Sequence, residues 1–91
     1  MHITTVHTLV FTIKCSNPDQ ANAAITIIKT GAVTLHLKEV SMNPFPLLDG
    51  EDPASRTYGV QASSEEHDVC VHYWGEVARA LALIGVDAVS P

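Results

Sequence analysis

Residues 67–72 read H-D-V-C-V-H and bring His67, Cys70 and His72 close together in the chain. Imidazole nitrogen and thiolate are ligands that zinc prefers. A histidine beside a cysteine can also activate it as a nucleophile. Either chemistry needs side chains that converge. On an α-helix His67 and Cys70 are neighbours, but His72 points about 140° away from His67. On a strand Cys70 and His72 share a face and His67 takes the other. The three cannot meet, so a site would need His7, His36 or Cys15 brought in by the tertiary structure. Zinc usually takes four ligands at defined spacing. No metal and no cofactor are therefore expected.

Catalysis finds little more. Cys70 with His67 is the one local nucleophile and base pair. The carboxylates of "SSEE" and "DGED" sit beside turns, where acidic runs are solvated rather than buried in a cleft. No glycine loop is built to cradle phosphate. No catalytic residue is assigned, and a non-enzymatic protein is expected.

The elements that position these residues follow from periodicity. Residues 63–85 have two readings. As a strand, "HDVCVHYW" would turn Val69, Val71 and Tyr73 inward, strand Trp74 outside and leave an uncapped helix starting at Gly75. As a helix, Ser63 and Glu66 form an S-x-x-E capping box. Cys70, Tyr73, Trp74, Val77, Ala78, Leu81 and Ile84 then share one arc, and Glu65, Asp68, His72, Glu76 and Arg79 the opposite one. Gly85 ends the helix and Val86 folds back over it. The sorting of five polar residues onto one arc favours the helix. Cys70 then lies at the centre of the buried arc, as a small inert core thiol.

Upstream, "ITTVHTLVFTIKC" alternates. Ile3, His7, Leu9, Phe11, Ile13 and Cys15 share the core face; Thr4, Val6, Thr8, Val10, Thr12 and Lys14 share the other. "SNPDQANAAITIIKTG" is a helix with Asn17 as cap, Pro18 in its first turn, Ala21, Ala24, Ile25 and Ile28 as its apolar stripe, and Gly31 as its stop. "AVTLHLKEV" is expected as the next strand, "RTYGVQA" as a third with Tyr58, Val60 and Ala62 on one side, and "VDAVS" as a short fourth. A strand, a helix and a strand at this spacing make a parallel βαβ unit with a right-handed crossover. The order β-α-β-β-α-β resembles the ferredoxin-like arrangement: an α+β sandwich of four antiparallel strands with two helices on one face. Residues 1–91 are read as one such domain. The resemblance is topological and carries no function by itself.

Composition narrows the partners. Hydrophobic residues make up 46% and charged residues 16%, which excludes a disordered chain. The net charge of −5 is the reverse of a cationic nucleic-acid binder, and favours basic partners, including proteins that themselves bind nucleic acid. The open sheet face offers no ring for RNA to stack on. The first loop has neither the CxxC of a heavy-metal carrier nor the glycine turn of an amino-acid-sensing domain. Two cysteines make no disulfide framework and suit a reducing compartment. The first residues lack a signal-peptide pattern and no stretch is long enough to span a bilayer, so a cytoplasmic location and no membrane contact are expected.

The connection from Asn43 to Ser55 is long for a hairpin. It holds Phe45, Leu47 and Leu48 beside Asp49, Glu51 and Asp52, a pairing of apolar anchors with steering charges. The acidic arc of the second helix, Glu65, Asp68 and Glu76, is a further candidate surface. The reading is a small acidic protein-binding module that acts by stoichiometric contact, as an inhibitor or regulator. Phage-encoded anti-CRISPR proteins exemplify that type, although no motif identifies it. Val6, Val10 and Val40 among threonines on the open sheet also suit a homodimer. The alternative is a homodimeric enzyme or small-ligand domain, with a pocket between sheet and helices lined by His7, Tyr73 and Trp74.

Overall fold

The computed structural model describes residues 5–90. Strand β1 (His7–Cys15) follows its alternation. Phe11, Ile13 and Cys15 are buried, with Leu9 packed beside them, while Thr8, Val10 and Lys14 are exposed on the reverse face. Ile3 and Thr4, expected to continue these faces, lie outside the described residues.

Helix α1 (Pro18–Thr34) starts where its cap predicts: the Asn17 side-chain oxygen accepts the Gln20 amide at 2.8 Å. Its end differs from expectation. Gly31 does not stop the helix. The stop is His36 at φ 54, whose amide donates to the Val33 carbonyl (3.2 Å) while the Leu37 amide donates to the Ala32 carbonyl (2.9 Å), the bond pair of a Schellman motif. The strand expected over "AVTLHLKEV" therefore moves, and β2 is Glu39–Pro44. The physical reason lies across the core. A Cβ on Gly31 would sit 3.1 Å from Tyr73 Cε2 and 3.2 Å from Val77 Cγ2, so this glycine admits a neighbouring helix rather than ending its own. Ala32 then completes the buried stripe of Ala21, Ala24 and Ile28, and Ile25 is only half-buried.

Strand β3 (Arg56–Ser64) lies between its partners. It pairs antiparallel with β1 from His7↔Ser64 to Cys15↔Arg56, and with β2 from Glu39↔Ser63 to Pro44↔Tyr58. β1 and β2 thus run parallel with β3 between them, the split form of the βαβ unit. Strand β4 (Ala88–Val89) joins the far side of β1 at Thr12 and Ile13, giving the order β2-β3-β1-β4.

Residues 67–83 are helix, α2 (His67–Leu83). The expected capping box does not form, because Ser63 and Ser64 remain paired in β3. Ser64 Oγ instead accepts the Glu66 amide at 3.1 Å, and Glu66 holds the N-cap position without a side-chain bond. The C-terminal stop is as expected: Gly85 at φ 81, its amide on Ala82, the Val86 amide on Leu81, and Val86 fully buried. Cys70, Tyr73, Val77 and Leu81 face the sheet and α1. Tyr73 is wholly buried and its hydroxyl donates to the Ile28 carbonyl at 2.8 Å, tying α2 to α1. No described helix is long and apolar enough to cross a membrane.

One facing assignment changes. Val40 stands opposite Ala62 and packs against the core, so it is not part of the open face. The shifted start of β2 reverses the expected alternation there.

Candidate partner-binding surfaces

The β2–β3 connection, residues 45–55, holds six of the residues singled out in the sequence. The Phe45 amide donates to the Thr57 carbonyl at 2.8 Å, extending the hairpin pairing by one step. The ring then lies over Gly59, where a Cβ would come within 2.9 Å of Phe45 Cε1. Gly59 is on the face turned away from the helices, opposite Thr12 and Asn43. Phe45 is therefore on the outer side of the sheet and does not cap the core, so the open face carries one ring where the sequence suggested none.

Beyond it the chain turns through Gly50 at φ 87, with the Glu51 amide on the Leu48 carbonyl at 3.1 Å. Asp52 shapes the return: its side chain accepts the Ala54 amide at 2.9 Å. Phe45, Pro46, Leu47, Leu48, Glu51 and Thr57 line a recess of about 350 Å³. Leu48 is 70% exposed. Asp49 completes the acidic border of this tip.

The α2 residues form a separate group. Glu65 is 3.6 Å from Lys38 Nζ, Glu76 is 3.7 Å from Arg79 and Asp68 is 3.9 Å from His67 Nδ1. Exposed pairs of this kind contribute little stability. β3 starts at the hairpin tip and ends just before Glu65, so roughly 30 Å of strand separates the tip from the start of α2. The two acidic groups do not make one surface.

The histidines and cysteines are partly gathered. His7 reaches His67, with ring centroids 5.4 Å apart and edge to face, and Cys70 Sγ lies 3.5 Å from the His7 carbonyl. Among the described residues no three metal-ligating side chains are set to hold an ion. Both thiols are free and buried, and burial pushes the Cys15 thiol up. The pocket expected from His7, Tyr73 and Trp74 does not take shape around Tyr73. That side chain is sealed in the core, where burial pushes its pKa up to about 12, and Trp74 packs on Phe11 at 5.0 Å.

Gln20 is a residue the sequence reading passed over. Its side chain accepts the Ser16 amide at 2.6 Å and donates to the Ile84 carbonyl at 3.0 Å, linking the start of α1 to the end of α2. The N-x-x-Q spacing from Asn17 was the available signal.

No protein-family model and no curated protein matches the chain. Solved structures are similar in backbone. The de novo designed protein Foldit4 superposes with a TM-score of 0.70 at 8% identity, over 96% of this chain and 97% of that one. A C-terminal segment of the alpha subunit of aIF2 from Pyrococcus abyssi gives 0.53 at 13%, over 94% of this chain and 51% of that one. A dimeric ferredoxin-like protein of unknown function from Thermobifida fusca gives 0.50 at 17%, over 99% and 100%. At these identities the likeness is one of fold. Strand order, strand directions and helix placement agree with it, and the chain has the ferredoxin-like fold.

Proposed function

We propose that the domain is a non-enzymatic protein-binding module that acts by stoichiometric contact, with the hairpin tip as its contact surface. The observation that carries this reading is the seating of Phe45 over Gly59, with Leu48 exposed beyond it inside a border of Asp49, Glu51 and Asp52. An exposed leucine at a loop tip adds nothing to the core. Against a partner, buried apolar anchors supply affinity while the surrounding charges steer approach. The acidic border fits a basic partner, such as a protein that binds nucleic acid, and contact of this kind suits inhibition or regulation. Self-association is a companion property, supported by the dimeric state named for the Thermobifida neighbour.

The test is retention from a lysate of the source organism on the immobilised domain. One protein held at equal stoichiometry and released by salt is expected, with Leu48→Asp weakening its binding about 30-fold, or ~2 kcal/mol. Nothing retained, or equal retention by Leu48→Asp, would sink the proposal.

A further inference from the structure

The sheet face without helices is a second surface that adjoins the hairpin tip and shares Phe45 with it. Val10 is 46% exposed there and Val89, opposite Thr12, is 59% exposed, with Phe45 beside them over Gly59. A solvated face of an antiparallel sheet normally alternates to polar residues. This one presents valines, threonines and a phenylalanine ring.

Charge identifies the occupant. Of the acidic side chains only Glu39 belongs to a strand; the others border the hairpin tip, the helices and the turns. A chain of net charge −5 meets like charge when its copy approaches the hairpin tip or the start of α2. Across the paired strands themselves it meets almost none, and only the hairpin tips, which run on past the Lys14 end, carry acidic groups toward the Glu39 end of the other copy. Within the paired strands the face carries two charges, at opposite ends: Lys14 in the row of Thr57, and Glu39 in the row of Ser63 and Thr8. Asp87 borders the Lys14 end from outside the paired strands.

We infer that this face is the contact between two copies of the chain, packed sheet to sheet with strands reversed, so that Lys14 of each copy meets Glu39 of the other. A two-fold axis between the sheets and across the strands produces that reversal. The lateral offset of β1 from β2, ~10 Å, is spanned by the two long side chains with the ~30° crossing of packed sheets. A four-stranded face has a footprint of roughly 500 Å², and its corrugated accessible area brings two copies to on the order of 1,200 Å², the lower end of stable interfaces. The inference rests on the self-association proposed above; the hairpin-tip contact shares Phe45 with this face but is tested separately, at Leu48.

Light scattering on the full chain at concentrations on the order of 100 µM is expected to give the dimer mass, in line with micromolar affinity for an interface of this size. Val10→Lys is expected to give a monomer with an unchanged circular dichroism spectrum. Lys14→Glu and Glu39→Lys are each expected to weaken the dimer about 10-fold, and the double exchange to restore it. A monomer at every concentration overturns self-association and this inference together, leaving the hairpin-tip reading untouched. A dimer that survives Val10→Lys overturns the face. Failure of the double exchange to restore affinity overturns the reversed arrangement.

Discussion

Gly31 and Tyr73 set the spacing of the two helices between them. The glycine lets the ring come close, and the hydroxyl bond to the Ile28 carbonyl fixes where the ring stays. Neither role was legible in the sequence. A glycine after "AITIIKT" has the signature of a helix stop, and nothing local says that another helix crosses there. The tyrosine's burial was legible from its arc; its bond to a residue 45 positions earlier was not. Tyr73 has a pH consequence. Its pKa is raised from 10.0 to about 12 by burial, so the neutral form is favoured on folding. The stability this gives is fully present below pH 10 and is lost as pH rises through about 12. Tyr73→Phe is expected to remove that alkaline loss and to cost about 1 kcal/mol at neutral pH, through the missing hydrogen bond. Urea melts of both proteins across the alkaline range check it; parallel curves for the two would contradict it.

Helices were legible as elements because their apolar stripes recur every three to four residues. Their ends were legible only where a local device acts alone. Asn17 and Gly85 are such devices, and both work as the sequence suggests. Ser63 is not, because pairing with β1 and β2 holds it in a strand and takes it from the helix. β2 was displaced the other way, by α1 running on past Gly31 to Thr34. His36 stops α1 in a left-handed conformation that glycine adopts without strain. His36→Gly is accordingly expected to stabilise the protein by about 0.5–1 kcal/mol and to raise the melting temperature by a few degrees. A calorimetric scan showing a fall would mean that the imidazole makes a compensating contact.

At the level of the whole chain, the order of elements was readable, while the outward placement of Phe45 was not. That placement depends on Gly59, on the partner strand two residues past Thr57, which the loop composition does not show. The apolar and acidic make-up of the hairpin tip was legible; its separation from Glu65, Asp68 and Glu76 required the run of β3. The sheet order also predicts how protection is distributed. β3 is bonded on both sides along its length, whereas β4 contributes two residues. Hydrogen exchange should be slowest in β3 and the β1 amides facing it, and fastest in β4 and residues 45–55. Equal protection of β3 and β4 would contradict this.

The central pair of strands, β1 and β3, joins segments that lie far apart along the chain, with Cys15 meeting Arg56 and His7 meeting Ser64. The β2–β3 hairpin can close early and locally. β1 reaches β3 only by closing the loop that holds the helix and the hairpin, so the entropy of that closure falls before the reward of the central ladder. Refolding is therefore governed by the arrival of β1, on the millisecond scale of mixed α/β topologies rather than the microsecond scale of helical bundles. Until it arrives, the hairpin carries a bare edge along β3, and this interval is when the chain is most exposed to mispairing with another unfinished copy.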